Sequence, residues 1–379
     1  MVFFALWRIP QPPVPQAEKN LNLRLTQIGF AQLPGWKAAD KISALQSFQR
    51  GCVRLAAKPA GASMGGKGYA GQVSDWLSAC AAAQNAPADF FEKNFTPYQL
   101  SAGNQKTGLF TGYFEPEIKG SRARHGAFQT PVYALPPDVI RVDLSLFSKQ
   151  FTGEHVSGRI IGQRLVPYAD RAAINKAGIA NARILFWTDD PVALFFLQIQ
   201  GSGRVKLDDG SSARLGYAGE NGLPYTAIGR NLIAQGALTR EKVSLATIRD
   251  WLAKNPGKAQ AMMENNRSYI FFEERPLGDV ALGATGTLGV PLTPRASLAI
   301  DPRVNVLGAP YYVDAAPVRG LLIGQDTGGA IRGAVRGDVF FGFGEAAERA
   351  AGVMKATGKM VVLLPRALAA KLGRQKEFP

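Results

Sequence analysis

The chain has 379 residues, of which 46% are hydrophobic and 19% are charged, a composition typical of globular proteins with a substantial core. Its formal net charge of +15 favours anionic partners, yet lysine and arginine are scattered and form no nucleic-acid-binding motif, so nucleic acid is not expected as a partner. Two histidines and two cysteines leave almost no material for a His-based triad or a zinc site, and no metal or cofactor is expected.

The N-terminal residues carry no evident export signal. The apolar segment 2–7 is too short for the hydrophobic part of a signal peptide, and Arg8 and Pro10 follow it. Residues 1–20 are rich in proline and glutamine and predict a flexible segment. No apolar run approaches the roughly 18–20 residues of a membrane-spanning helix, so the sequence alone leaves the compartment open.

Residues 21–108 predict a mostly helical first part of the chain. Asp40 is a predicted N-cap for a helix over 41–57, and further helices are predicted over 71–83 and 89–95. The apolar positions of the first helix are Ile42, Leu45 and Phe48.

Cys52 and Cys80 lie on or near the first two predicted helices. In an oxidising compartment they could close a loop of about 29 residues, and the chain-entropy model assigns such a loop roughly 3–4 kcal/mol. Two buried free thiols fit the same positions nearly as well, so the residues by themselves leave both alternatives open.

From residue 108 to about 200 the pattern changes to strands separated by turns. Aromatic and β-branched residues bounded by Gly, Pro or Asp predict strands over 109–118, 131–135, 184–190 and 193–201. Residues 201–219 predict a hairpin with Asp209 and Gly210 in its turn.

Helical patterns return over 225–235 and 244–254, with Ser244 as a predicted N-cap. After residue 265 strands predominate again until a helix over 345–357, which is followed by a strand over 360–364 and a basic tail. The layout predicts a mainly β protein with peripheral helices and two β-dominated domains, one of which could be inserted in the other.

The segment 324–344, GQDTGGAIRGAVRGDVFFGFG, is the most informative of the chain. Its seven glycines indicate tight turns and close backbone approach, and buried strands are predicted over 321–323 and 339–341. Apolar neighbours would raise the pKa of the Asp326 carboxyl and suit it to general acid catalysis, whereas Arg332 and Arg336 would oppose that shift if they faced it. The alternative is that Asp326 and Asp338 are turn residues that accept backbone N–H groups.

Two further groups of residues suggest glycan chemistry. Glu115 and Glu117 would share a strand face if the strand continued through Pro116, and a glycosidase needs such a pair; two solvated carboxylates at a strand end are the alternative. Amide, hydroxyl and exposed backbone groups suited to bind sugars occur at Gln200, Gly201, Ser202, Gly203, Tyr217 and Asn221.

Together these segments resemble the membrane-bound lytic murein transglycosylase A (MltA) family. The similar stretches run in order over about 108–365 and are LFTGYFEPEIKGS, VPYADRAAI, FFLQIQGSGRV, LGYAGENGLPYTAIGRNLI, NRSYIFFEE, LTPRASLAIDP and GQDTGGAIRG…RGDVFFGFG…AAGVMKATGKMVVLLP. The last block resembles the family's 3D module, named for its aspartates, which here are Asp314, Asp326 and Asp338.

The resemblance implies a fold of two β-domains with a glycan groove between them. A double-psi β-barrel domain would comprise 21–110 and 263–379, with the 3D module at 305–365, and an inserted β-domain would comprise 111–262. The sequence pattern by itself predicts β-dominated domains and not the barrel.

The resemblance also implies the reaction: cleavage of the β-1,4 bond between N-acetylmuramic acid and N-acetylglucosamine in peptidoglycan, with a 1,6-anhydromuramoyl product. Asp326 would act as acid and then as base. Asp314, Asp338, Thr111 and Tyr113 would support the groove, and residues 200–203 with Tyr217 and Asn221 would bind substrate. A non-catalytic peptidoglycan-binding protein and a water-using glycoside hydrolase are the alternatives.

The family setting implies a periplasmic protein, associated with the outer membrane in a Gram-negative bacterium, that binds peptidoglycan glycan strands and works alongside other cell-wall enzymes. It also favours a Cys52–Cys80 disulfide. Family members typically carry a lipid on a cysteine near the N-terminus; here the first cysteine is Cys52, without a lipobox, so membrane anchoring is not expected for the chain as given.

Overall fold

In the computed structural model of the chain, the described residues are 23–148, 155–328, 331–373 and 375–378. The flexible segment predicted over 1–20 lies outside these residues. So does Ala330, within the glycine-rich segment.

Strands occur throughout the described ranges. In chain order they are β1 (Leu23–Gln27), β2 (Phe95–Ala102), β3 (Gly108–Glu115), β4 (Glu117–Gly120), β5 (Thr130–Tyr133), β6 (Ile140–Asp143), β7 (His155–Ile161), β8 (Arg164–Val166), β9 (Ile184–Thr188), β10 (Gly203–Leu207), β11 (Ser212–Glu220), β12 (Ile270–Arg275), β13 (Ser297–Ile300), β14 (Pro310–Ala315), β15 (Val318–Thr327), β16 (Gly337–Phe343), β17 (Lys355–Pro365) and β18 (Gln375–Phe378).

The helices lie between the strands. They are α1 (Lys41–Ala56), α2 (Ser74–Ala82), α3 (Phe90–Asn94), α4 (Arg171–Ala177), α5 (Pro191–Gln200), α6 (Ile228–Ala234), α7 (Leu245–Lys254), α8 (Pro256–Glu264), α9 (Gly344–Gly352) and α10 (Arg366–Leu372). None of those in the described ranges combines the length and the apolar composition that a membrane crossing requires.

The chain divides into two compact units. Residues 116–277 form one, here called the insert unit, and residues 23–115 with 278–378 form the other, the barrel unit. The insertion was expected over 111–262, but Thr111 lies in barrel strand β3 and β12 pairs with β11 of the insert unit. The insert unit therefore begins and ends further toward the C-terminus than the expected insertion.

The barrel unit contains one large sheet in the order β14–β15–β13–β16–β3–β17–β2–β1–β18. Since β14 also pairs with β17, the first six of these described strands close into a barrel. The pairs β13–β15 and β3–β16 are parallel, and the other pairs are antiparallel. Buried apolar side chains from strands all around the ring fill the core, among them Phe110, Leu298, Leu322, Val339 and Val362.

Helices α1 and α2 pack in the barrel unit and are joined by a disulfide between Cys52 and Cys80, so the free-thiol alternative is wrong for this structure. The predicted N-cap of α1 is confirmed, because the Asp40 side chain accepts a hydrogen bond from the Ser43 N–H at 3.0 Å. Phe48 is buried as expected, whereas Ile42 is 72% exposed.

The insert unit has a four-stranded sheet, β12–β11–β10–β4, and two smaller sheets, β5–β9 and β6–β7–β8. The predicted hairpin is confirmed as β10–β11. The strand predicted over 193–201 is wrong, because residues 193–200 belong to helix α5 and Gly201 ends it. Asp190 caps that helix by accepting from the N–H groups of Val192 and Ala193, and Pro191 occupies its first turn. An Asp-Pro pair can end a strand, but it is also a signal for the start of a helix, and here it starts α5.

Near the C-terminus the predicted helix over 345–357 is too long. Helix α9 ends at Gly352, and the next residues belong to β17, in which Lys355 pairs with Thr111 of β3. The expected basic tail instead forms α10 and β18, whose Phe378 pairs with Leu23 of β1. The early end of α9 and the ordered C-terminal strand both depend on pairing with residues more than 200 positions away. Local sequence patterns carry no information about such distant partners.

Candidate active site

Four neighbouring strands of the barrel bring two acids onto one face. Ala299 of β13 pairs with Asp326 of β15 on one side and with Asp338 of β16 on the other, and Asp338 pairs in turn with Thr111 of β3. Directly paired residues share a face of a sheet, and two strand spacings place the Cα atoms of the acids roughly 10 Å apart. The small Ala299 side chain separates them.

Asp326 is a buried carboxyl with hydrogen bonds to both oxygens. Its Oδ2 accepts from the Tyr113 hydroxyl at 3.0 Å, and its Oδ1 accepts from the N–H and the hydroxyl of Thr287, each at 3.0 Å. The residue is only 7% exposed. Burial raises the pKa of the Asp326 carboxyl, although the hydrogen bonds from Thr287 and Tyr113 act in the opposite direction. Asp326 therefore retains a proton to higher pH than an exposed aspartate, as a general acid must.

Asp338 is a second buried carboxyl, and its environment differs. The Thr111 hydroxyl donates to Asp338 Oδ1 at 2.7 Å, and Arg336 Nη2 donates to the Thr111 hydroxyl at 2.9 Å. Burial raises the pKa of Asp338 to about 6; the Thr111 hydrogen bond and the Arg336 charge lower it, and the Asp326 charge raises it. Both acids lie within strands, so their interpretation as turn residues is wrong.

The two arginines that could have opposed a raised Asp326 pKa have other contacts. Arg332 lies 3.9 Å from the carboxylate of Asp301, and Arg336 contacts Thr111. Burial thus determines the direction of the Asp326 pKa shift.

Tyr113 and Thr287 hold the Asp326 carboxyl. Burial and the negative charges of Asp326 and Asp338 raise the pKa of Tyr113 well above its usual range, so its hydroxyl remains a donor. Its ring packs against Phe340, with 5.2 Å between the ring centroids. Thr287 was missed by sequence reasoning because a threonine among glycines before β13 has no pattern that distinguishes it from a turn residue.

Asp314 lies away from Asp326. It forms an ion pair with Arg319 at 2.7 Å, near the turn of the β14–β15 hairpin. Asp326 lies seven residues beyond Arg319 along β15, or roughly 23 Å at ~3.3 Å per residue. The contacts of Asp314 therefore give no support for a role beside Asp326.

The acids Glu115 and Glu117 do not share a strand face. β3 ends at Glu115, which is buried, and β4 begins at Glu117, which is exposed, with Pro116 between the two strands. Both predictions for Glu115 and Glu117, a glycosidase pair on one strand face and two solvated carboxylates, are therefore wrong.

The expected sugar-binding residues lie in the insert unit, and several have structural tasks. Gly201 has φ 79° and ends α5 after Gln200, and a Cβ on Gly203 would lie 2.6 Å from the Pro116 carbonyl oxygen. Ser202, between them, is partly exposed.

Asn221 and Tyr217 differ in how far their side chains are buried. Asn221 is fully buried and donates to the carbonyls of Ala169 and Arg267, both at 2.9 Å, while its Oδ1 accepts from the Tyr269 N–H at 3.0 Å. These hydrogen bonds occupy the buried Asn221 amide, which therefore cannot bind a sugar. Tyr217 is partly buried, and burial raises its pKa to about 12.

No group of three His, Cys, Asp or Glu side chains suited to hold a metal ion occurs in the described part of the chain.

Comparisons with known proteins agree with this architecture. The model of the MltA specific insert domain matches residues 109–273, and that of the 3D domain matches residues 296–364, which include both buried acids. Membrane-bound lytic murein transglycosylase A of Vibrio cholerae is 30% identical over 303 residues, covering 76% of this chain and 73% of that protein. The chain belongs to the membrane-bound lytic murein transglycosylase A family.

Solved structures of the family share the fold. MltA from Neisseria gonorrhoeae has a TM-score of 0.77 and 33% identity, covering 90% of this chain and 91% of that chain. E. coli MltA with bound chitohexaose has a TM-score of 0.61 and 24% identity, covering 86% of this chain and 90% of that chain, a likeness that concerns the fold alone.

Proposed function

We propose that this protein is a lytic murein transglycosylase that cleaves the β-1,4 bond between N-acetylmuramic acid and N-acetylglucosamine in peptidoglycan. Its relatives carry that activity in their name, and E. coli MltA holds chitohexaose, which supports a glycan strand as the partner. The observation that carries the proposal is the Asp326 carboxyl, buried, raised in pKa and held by Tyr113 and Thr287.

In the proposed reaction Asp326 starts protonated and donates its proton to the oxygen that links the two sugars. The bond between that oxygen and C1 of N-acetylmuramic acid breaks, and the leaving sugar departs as an alcohol. The Asp326 carboxylate then takes the proton of the C6 hydroxyl on the same muramoyl residue, and the C6 oxygen bonds to C1. The 1,6-anhydro product forms without water, so one carboxyl is sufficient.

We assign supporting tasks to the remaining residues of the barrel site. Tyr113 and Thr287 orient the Asp326 carboxyl through their hydrogen bonds. Asp338, through Thr111, holds Arg336 beside the site. Among the insert-unit residues, Gln200, Ser202 and Tyr217 remain proposed substrate contacts.

We also propose the periplasm as the compartment. The name of the relatives, membrane-bound, supports an envelope setting, and the Cys52–Cys80 disulfide supports an oxidising one. The double-psi crossing of the barrel strands, the glycan groove, the outer-membrane association and the cooperation with other cell-wall enzymes stay predictions.

Digestion of purified murein sacculi, followed by mass spectrometry, tests the proposed reaction. Wild type and the control Asp250→Asn, an exposed carboxylate of the insert unit paired with Lys254, should release anhydromuropeptides, and Asp326→Asn should release none. Products with reducing ends would instead identify a hydrolase. Binding to sacculi without any cleavage by wild type would identify a non-catalytic binding protein.

A further inference from the structure

Gln325, immediately before the proposed acid, occupies a β-bulge. In the pairing of β13 with β15, Leu298 pairs with Gly324 and the next residue, Ala299, pairs with Asp326. Gln325 is thus the extra residue in β15. A bulge re-aims the side chains beside it, and bulges recur next to active sites.

The Gln325 side chain is fully buried and hydrogen-bonded at both ends of its amide. Its Oε1 accepts from the hydroxyl of Ser47 on α1 at 2.7 Å and from the hydroxyl of Ser297 on β13 at 2.5 Å. Its Nε2 donates to the Ser47 carbonyl oxygen at 2.9 Å. Three bonds to two separate elements fix the amide in one orientation, since leaving any of these buried groups unpaired costs about 1–3 kcal/mol.

The main chain of Gln325 holds the loop that contacts the acid. Its carbonyl oxygen accepts from the Leu288 N–H at 3.0 Å, and the preceding residue, Thr287, donates twice to Asp326. A Cβ on Gly286 would lie 2.6 Å from the same carbonyl oxygen, so only glycine lets the loop approach this closely. One residue therefore links the strand that carries Asp326 to the loop that orients it.

We propose that Gln325 is a positioning residue for Asp326: its amide, anchored by Ser47 and Ser297, sets the bulge that directs the Asp326 carboxyl to Thr287 and Tyr113. The effect of Gln325 on the reaction rate rests on the proposed function, whereas its effect on the orientation of the Asp326 carboxyl does not. A misplacement of about 1 Å in a reacting group can cost on the order of a hundredfold in rate.

The deciding variant is Gln325→Met, which keeps the length and volume of the side chain and removes its hydrogen bonds. We expect kcat for anhydromuropeptide release to fall at least about tenfold while KM stays within about twofold, since only the reacting group is displaced. Asn266→Leu is the matched control. Asn266 is likewise a buried amide, whose Oδ1 accepts from the Thr226 N–H at 3.0 Å, but it lies in the insert unit.

A second readout does not depend on turnover. If Thr287 no longer donates to Asp326, hydrogen bonds that lower its pKa are lost, so the Asp326 pKa should rise in Gln325→Met. Carbon-13 NMR of labelled aspartate, assigned with Asp326→Asn, measures this pKa. Tyr113 on β3 and Asp338 on β16, the titratable groups placed with Asp326, are unchanged in the variant.

Ser47→Ala keeps the test usable if Gln325→Met does not fold, because it removes one hydroxyl donor and leaves the Gln325 amide in place. We expect a smaller fall in kcat, about twofold to fivefold, and a pKa change of the same sign. An unchanged Asp326 pKa in a folded variant, or equal loss of kcat in Asn266→Leu, would overturn the proposal. A pKa rise with a wild type that makes no anhydro product would uphold the positioning role and reject the proposed function.

Discussion

Tyr113 donates a hydrogen bond of 3.0 Å to Asp326 although the two residues are 213 positions apart in the chain. Tyr113 lies on β3 and Asp326 on β15, which occupy opposite positions in the ring of six strands. The bond therefore joins two strands that are not neighbours in the sheet, on the face that also carries Thr111 and Asp338. Burial shields the Asp326 carboxyl from water, which explains the direction of its pKa shift.

Tyr113→Phe should raise the pKa of Asp326. The hydroxyl stabilises the carboxylate form, so its removal favours the protonated acid. The rate of anhydromuropeptide formation should fall about tenfold to a hundredfold, because a hydrogen bond to a charged group contributes ~1.5–3 kcal/mol. The alkaline limb of the pH–rate profile should move to higher pH, since Asp326 must begin protonated.

The matched control for this variant is Tyr225→Phe, which removes a hydroxyl in the insert unit and should leave the profile unchanged. An alkaline limb that stays in place in Tyr113→Phe would show that the hydroxyl does not influence the acid.

Asp338→Asn should stabilise the protein more at pH 7 than at pH 4. Burial raises the folded-state pKa of Asp338 to about 6, above its unfolded value of 3.8. Its contribution to stability is therefore fully present below pH 3.8 and is lost as the pH rises through 6. The shift corresponds to about 3 kcal/mol between these limits. Asparagine mimics the protonated acid and can still accept from the Thr111 hydroxyl.

Urea unfolding of wild type and Asp338→Asn at both pH values measures this difference, and the same comparison for Asp250→Asn corrects for general charge effects. A stability difference that is equal at pH 4 and pH 7 would contradict a raised pKa at Asp338.

Asp314→Asn should leave catalysis within about twofold of wild type. The Asp314 side chain pairs with Arg319, which is half exposed, and such pairs stabilise by at most ~1 kcal/mol. Kinetics on the same murein substrate as for Asp326→Asn provide the comparison. A hundredfold loss in both variants would restore the supporting role in the groove that the family resemblance implies for Asp314.

How far the sequence predicts this site depends on the range of the interactions involved. Strands β15 and β16 were predictable because short apolar runs bounded by glycine occur at 321–323 and 339–341. Barrel closure was not, since β3 and β16 pair residues such as Thr111 and Asp338, which lie 227 positions apart. Local periodicity carries no information about such partners.

The same limit explains the errors among the polar residues. Asn221 had the composition of a sugar contact, yet its amide bonds to main-chain groups that approach it only in the folded insert unit. Thr287 had the composition of a turn and instead donates twice to the proposed acid. For both residues the role depends on tertiary neighbours, so residue type and spacing could not assign it.

Removal of the Cys52–Cys80 disulfide should lower the free energy of unfolding by about 3–4 kcal/mol, because the cross-link restricts a loop of about 29 residues in the unfolded chain. The double variant Cys52→Ala, Cys80→Ala is compared with wild type by urea unfolding. Reductant should destabilise wild type by a similar amount and leave the double variant unaffected. Intact mass after alkylation without reductant verifies the bond, and two alkylated thiols in the native wild-type protein would refute it.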